Sequence, residues 1–455
     1  MPIITTNPAT GQPIAEYPTL EDDELVRRVQ RTADAARAWG RTSLEERAAI
    51  LRRIAERLRE HRERLATLIT TEMGKRIAEA RAEVDKSAWM CEHNAEHAAH
   101  DLAPREVSTQ MRRSLVCYRP LGAVFAIMPW NFPLWQVIRF AAPNLMAGNA
   151  AVLSHAPIST GLALAVEALF REAGLPEDVF SALVIEDDQA AAVIAHPGIA
   201  AVTLTGSGRA GRAVATHAAR HLKKVVLELG GSDPYIILED ADLDDAAACC
   251  VDLRMLVSGQ VCVSPKRLIA VDAVYAAFEE RVVERTRSFH MGDPLLESSR
   301  LGPLARADLR DHLHAQVQRT VDMGASCVLG GEIPEGPGFF YPATVLRDIP
   351  EPSPARREEL FGPVVCLVRA RDEQDAIRIA NDTPYGLGAA VFTEDIARGT
   401  RIATEELEAG VCSVNTFVAS DPRLPFGGIK QSGYGRESAL EGIRELCNIK
   451  TINIK

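Results

Sequence analysis

Between residues 20 and 60, apolar positions recur at helical spacing. Leu25, Val26, Val29, Ala33 and Ala36 fall on one face, and Gly40 is placed to end that helix. Ser43 followed by Glu46 is a capping-box pattern. It opens a second helix whose apolar side is Leu44, Ile50, Leu51, Ile54 and Leu58. A half-polar strand is predicted over 112–118, with Arg119-Pro120-Leu121-Gly122 as a turn. The pattern then changes. Short apolar runs at Ala123–Met128, 150–153, 183–186, 200–204 and 225–229 alternate with helical segments near 161–173, Gln189–Ala195 and 209–219. The second half repeats this, with strands at 235–238, 267–271, 364–368 and 389–392 and helices over 243–256, 273–289 and 307–323. Strands alternating with helices specify a mostly parallel sheet covered on both faces. The expectation is two α/β lobes with a boundary near Gly230-Gly231. The tail 447–455 alternates as a strand does but has no hairpin partner beside it. Such a strand is a candidate for completion by another part of the fold or by another subunit.

Composition narrows the class. At a soft prior of about 150 residues per domain, 455 residues are roughly three domains' worth of chain. Hydrophobic residues make up 47% and charged residues 25%, an ordinary globular mixture. The net charge of −11 is interspersed along the chain, which argues against a nucleic-acid partner. Nine cysteines with no CxxC pair indicate neither a disulfide framework nor a zinc site. The simplest expectation is free thiols in a reducing compartment and no bound metal. The first residues lack a basic segment and an apolar core, so no signal peptide is expected. The most apolar stretch, 122–151, is interrupted by Pro129, Asn131, Pro133, Arg139, Pro143 and Asn144, which is wrong for a membrane helix. These features together predict a cytoplasmic protein without a membrane partner.

Several stretches carry chemistry. Val257-Ser258-Gly259-Gln260-Val261-Cys262 puts a cysteine behind a small Ser-Gly pair, presented as a nucleophile must be. Its competing interpretation is an inert small hydrophobe. Gly206-Ser207-Gly208-Arg209-Ala210-Gly211 follows the 200–204 strand and opens a helix. That is a GxGxxG pattern in a context that suits a pyrophosphate. The fingerprint expects an acidic residue about 20 positions on, gripping a ribose. Glu228, in Leu227-Glu228-Leu229-Gly230-Gly231, stands there. It is open to three roles: ribose ligand, catalytic base or solvated strand-end carboxylate. Pro129-Trp130-Asn131-Phe132-Pro133-Leu134-Trp135 forms a rigid loop after a strand. Its asparagine amide suits a developing oxyanion, and an aromatic packing loop is the alternative. Glu358-Glu359-Leu360-Phe361-Gly362-Pro363 and Pro425-Phe426-Gly427-Gly428-Ile429-Lys430-Gln431-Ser432-Gly433 suggest close backbone approach or turns.

Taken in order, these motifs resemble the aldehyde dehydrogenase superfamily from end to end. The matching features are Asn7-Pro8-Ala9-Thr10-Gly11, PWNFP, GSxxxG at Gly206, LELGG at Glu228, GQxC at Cys262, EELFGPV around Glu359 and PFGGxKxSG at Pro425. The resemblance implies Cys262 as nucleophile and Glu228 as general base. It implies an oxyanion hole from the Asn131 side chain and the Cys262 backbone amide. Cofactor contacts follow from Trp130, Ser154, His155, Gly206, Ser207, Gly211, Leu229, Glu359 and Phe361. Among them Ser207 lies near the pyrophosphate, Glu359 holds the nicotinamide ribose, and Phe361 packs at the nicotinamide end. It also implies a dinucleotide-binding domain over 1–103 and 122–228, a catalytic domain over 229–431, and a small β oligomerisation arm from 104–121 and 432–455. A homodimer or homotetramer is expected. CoA-acylating relatives lack the glutamate, so Glu228 favours water as acyl acceptor.

Substrate and cofactor rest on finer details. Arg139, eight residues after Asn131, occupies the place where members acting on succinate semialdehyde carry a carboxylate-binding arginine, a natural fork for that group. Ser420 resembles their second polar contact, and Trp135 joins the substrate side. The second arginine of some such enzymes is absent, with Leu256 in its place. The lysine usual after the 150–153 strand is replaced by Ser154, followed by His155, which could substitute for it in part. Pro157 stands where NAD-preferring members often have a glutamate. The expectation is NADP, with NAD close behind. Alternatives are a broad or neutral-aldehyde dehydrogenase and, in another class, a cofactor-independent thiol esterase.

Overall fold

In the computed structural model, which describes residues 2–455, the apolar runs assemble into two parallel-dominated sheets. The first has six strands in the order Gly433–Tyr434, Lys224–Glu228, Ile199–Thr205, Ala123–Met128, Ala150–His155 and Phe180–Leu183. All its pairings are parallel except that of Gly433–Tyr434. The second has seven strands, Ser326–Leu329, Thr344–Arg347, Val364–Ala370, Pro265–Val271, Asp233–Ile237, Gly388–Phe392 and Val411–Val414. Only its edge pair Ser326–Leu329 with Thr344–Arg347 is antiparallel. Strands such as Val364–Ala370 are buried on nearly every residue because helices cover both faces, which is why they read as continuous apolar runs. Ser43 and Glu46 form the expected reciprocal cap. Among the described residues, no helix is long and apolar enough to cross a membrane.

Two elements differ from expectation. The strand expected at 183–186 forms at Phe180–Leu183. The chain leaves the sheet at Val184, whose carbonyl accepts from Leu20 N–H at 2.9 Å rather than from a neighbouring strand. The interrupted stretch after Asn131 contains a helix, Pro133–Ala147, buried on every residue. Pro133 sits in its first turn, where a missing N–H costs nothing. The Glu83 carboxylate accepts from Leu134 N (2.8 Å) and Trp135 N (2.9 Å) at that end. Glu83 is itself paired with buried Lys75, whose ammonium lies 3.8 Å over the Phe132 ring. The helix puts Trp135 and Arg139 one turn apart on one face.

The tail strand finds its partner within the chain. Cys447–Ile454 pairs antiparallel with Arg113–Pro120, which also pairs with Arg105–Val107. The expected turn at 119–122 therefore begins later, because the strand runs through Pro120. Of residues 432–455, Gly433–Tyr434 joins the first sheet, and the three-stranded sheet takes Cys447–Ile454. Asn149 fastens this region. Its Oδ1 accepts from Leu121 N (2.7 Å) and Gly122 N (3.0 Å), and its Nδ2 donates to Leu446 O (2.8 Å). Asn149→Ala leaves one buried and two part-buried backbone groups unpaired and is expected to cost about 2–4 kcal/mol in denaturant unfolding. A loss below about 1 kcal/mol would show that water replaces the amide.

Candidate active site

The helix Leu243–Met255 runs into a turn in which Val257 (φ 51°), Ser258 (φ 53°) and Gly259 (φ 74°) are all left-handed. For the two residues with a Cβ this costs of order 1–3 kcal/mol each, so the surroundings must over-determine the turn. They do. Val257 N donates to the Glu79 carboxylate at 3.2 Å, and Ser258 Oγ donates to Gly302 O at 2.8 Å. Gln260 reaches both ways, with Nε2 to Val257 O at 3.0 Å and Oε1 accepting from Ala305 N at 2.9 Å. Gly259 lies against the Gly362 backbone so closely that a Cβ would overlap it. Fully buried Arg254 donates to Gly259 O (3.1 Å), Ser264 Oγ (2.8 Å), Leu360 O (2.7 Å) and Val364 O (2.7 Å).

Cys262 emerges half-buried from this turn. Burial pushes its thiol up to about 11, while Lys266 and Arg139 pull it back. Asn131 is buried and donates from Nδ2 to Gln260 O at 2.9 Å, which leaves its second N–H free for another acceptor. Glu228 ends its strand with both carboxylate oxygens buried and without a hydrogen-bond partner. Burial first, and the Glu437 carboxylate second, raise it well above the usual range, against Arg139 and Arg436. Its Oε1 lies against Gly427, and Glu228 is not among the residues that line the pocket holding Cys262.

That pocket encloses about 400 Å³ and is largely apolar. It brings together Cys262, Arg139, Trp135 and Ser420, with Leu256 and Phe426 also in its wall. Ser420 Oγ and Arg139 Nε are both buried and unpartnered. Arg139 is not the open fork the sequence led us to expect. Its Nη2 is ion-paired with Glu437 Oε2 at 2.5 Å and reaches Thr205 Oγ1 at 3.4 Å, so one edge of the guanidinium is already engaged. Lys86, unremarked in the sequence, also lines the pocket, 4.3 Å over the Trp135 ring. Burial and the Arg139 charge bring it down to about 8.

The expected cofactor-contact residues are not among those lining this pocket. Ser207 caps the helix Gly208–Arg220, accepting from Ala210 N at 3.2 Å, and Gly211 packs beneath Leu229. Gly206 is open above Leu204. Trp130 and Phe361 meet edge to face at 5.7 Å. Glu359 Oε1 accepts from Gly231 N at 3.1 Å and is 3.2 Å from Lys266 Nζ. This set fits a dinucleotide: first-turn amides for a diphosphate, a partly exposed carboxylate for ribose hydroxyls, and an aromatic pair for a flat ring. Ser154, next to last in the Ala150–His155 strand, is half-exposed. The idea that His155 supplies the missing lysine charge is corrected. Its Nε2 lies 2.9 Å from Pro133 O, and burial lowers it to about 4, so the ring is neutral at pH 7. Sequence spacing also gave no sign of Glu437, Lys86, Lys266 or Arg254, because each acts through a contact with a distant segment.

The profile of the aldehyde dehydrogenase family matches residues 2–452. A succinate semialdehyde dehydrogenase [NAD(P)+], Sad, of Escherichia coli (strain K12) is 45% identical over 99% of this chain and 97% of its own. A succinate-semialdehyde dehydrogenase [NADP(+)] of Deinococcus radiodurans is 44% identical over 99% and 94%. Among solved structures, succinic semialdehyde dehydrogenase from Streptococcus pyogenes in complex with NADP+ superposes with a TM-score of 0.97 at 36% identity, covering 99% of both chains.

Proposed function

The chain belongs to the aldehyde dehydrogenase family, and we propose that within it the protein oxidises succinate semialdehyde to the dicarboxylate, with NADP as the preferred cofactor. The observation that carries this is the buried, unpartnered pair Arg139 Nε and Ser420 Oγ in the same apolar pocket as Cys262. A buried polar atom without a partner is costly unless a ligand supplies one. A short chain ending in a carboxylate supplies it while its aldehyde end meets the thiol. The names of the most similar relatives point the same way. Pro157 removes the carboxylate that would repel a 2′-phosphate, which supports NADP.

The Cys262 sulfur attacks the aldehyde carbon, with the nearby Lys266 and Arg139 charges favouring thiolate. The free N–H of Asn131 and the Cys262 amide take the developing oxyanion. The bound nicotinamide supplies the hydride acceptor. Cys262 is left as a thioester, and Glu228 takes a proton from the water that hydrolyses it. Glu228 must first turn from Gly427 or act through a bridging water. Because it is held well above the usual carboxylate range, its base form and hence deacylation gain as pH rises.

We assign residues 1–103 and 122–228 to cofactor binding and 229–431 to catalysis. The three-stranded sheet formed with 104–121 is assigned to self-association, supported by exposed Ile449, Ile452 and Ile454. Nine free cysteines support a reducing cytoplasm.

Glu228→Gln is expected to retain a burst of reduced cofactor and lose steady turnover. Burst and steady state falling together would reject Glu228 as the deacylation base. Arg139→Ala should raise KM for succinate semialdehyde by about 10–100-fold, the scale of one lost charged hydrogen bond, and change a neutral aldehyde of similar length far less. A uniform effect on both would sink the substrate assignment. That assay, run with NADP and NAD separately, also tests the cofactor: a higher kcat/KM with NAD overturns the preference. Replacing Ile449 and Ile452 by lysine should reduce the mass seen by light scattering, and an unchanged mass would remove the sheet from the interface.

A further inference from the structure

Lys266 stands four residues beyond Cys262 in the Pro265–Val271 strand, with its side chain 2% exposed. An ammonium has three N–H donors, and three acceptors surround this one. Nζ donates to Val261 O at 2.9 Å and to Cys262 O at 2.6 Å. Its third neighbour is Glu359 Oε1 at 3.2 Å. One buried charge therefore holds the peptide of the nucleophile on one side and touches the cofactor-side carboxylate on the other.

We propose that Lys266 is a positioning residue that couples occupancy of the cofactor site to the reactivity of Cys262. It plays this part only if Cys262 is the nucleophile and Glu359 the ribose ligand, as proposed above. Four charged groups bear on the thiol. Lys266 and Arg139 favour its thiolate, and Glu359 and Asp233 oppose it. Arg139 is tied to Glu437, and Asp233 is buried with no hydrogen-bond partner. Glu359 is the one of the four that lies on the cofactor side. It sits beside Gly231 with its side chain 20% exposed. Without cofactor, its carboxylate offsets part of the Lys266 charge. When ribose hydroxyls donate to that carboxylate, its charge is drawn outward, and the ammonium acts more fully on the sulfur. The nucleophile is thus sharpened when a hydride acceptor is in place.

The test is alkylation of Cys262 by iodoacetamide, read from the mass of its peptide between about pH 6 and pH 9, a range that brackets an ordinary thiol. It is run without aldehyde, with and without saturating cofactor, and binding is followed by tryptophan fluorescence. In the wild type, cofactor is expected to speed alkylation. Glu359→Gln without cofactor should already react faster than the wild type without cofactor, by about tenfold for a shift of one pKa unit, and gain little from cofactor. Lys266→Gln should react more slowly and ignore cofactor. A merely structural lysine would leave the acceleration by cofactor intact in Lys266→Gln, since Glu359 also acts on the thiol directly. The proposal is overturned if cofactor leaves the wild-type rate unchanged. It is equally overturned if cofactor speeds Lys266→Gln as much as the wild type, or if Glu359→Gln reacts at the wild-type rate. Should Lys266→Gln fail to fold by circular dichroism, Lys266→Met, which keeps the length and removes the charge, takes its place with the same expected and overturning results. Retained turnover in Cys262→Ser would instead reject the nucleophile assignment, which separates that failure from this one.

Discussion

The Arg254 guanidinium is the point on which the site depends. It is wholly buried, and burial lowers it to about 10, yet it stays charged at neutral pH. An isolated buried charge would be prohibitive, but this one is held by three carbonyls and a hydroxyl. Those acceptors belong to the nucleophile turn, to the strand start just after it, and to the segment on both sides of Gly362. The clasp brings Gly259 against Gly362, where no side chain fits, and so fixes how far Cys262 stands from the Glu359–Phe361 segment. The left-handed run at Val257–Gly259 is affordable only inside such a frame.

Around the frame, charge is balanced in linked pairs. Arg139 is shared between the pocket and Glu437, and Glu437 in turn raises Glu228. On the proposed reading, a substrate carboxylate at Arg139 would compete with Glu437 for one guanidinium. Ligand binding there would also alter the field at Glu228, on which both Arg139 and Glu437 act.

Much of this was legible in the sequence because it is local. The capping box at Ser43, the strand–helix alternation and the GxGxxG helix start each depend on near neighbours, and they formed as their spacing indicated apart from the strand shifted to Phe180–Leu183. The Pro133–Ala147 helix was not legible, because its prolines read as breaks. One occupies a first turn capped by Glu83 from another helix, and that contact has no sequence spacing. His155 misled for the same reason: its type suggests a cation, and only its burial beside Pro133 makes it neutral. Arg139 could be singled out from its spacing to Asn131, but its partner Glu437 could not, since nothing local connects the two.

Gly433–Tyr434 closes the edge of the first sheet by pairing with Leu227 and Glu228, roughly two hundred residues earlier. Chain of that length emerges from the ribosome over roughly ten to forty seconds at the usual rates. During that interval Glu228 lies on an unpaired edge strand, the kind of surface that recruits stray chains. The base acquires its final surroundings only after the whole second lobe has been made and has folded back. A chain truncated before residue 433 would leave that edge open and Glu228 without its finished seat.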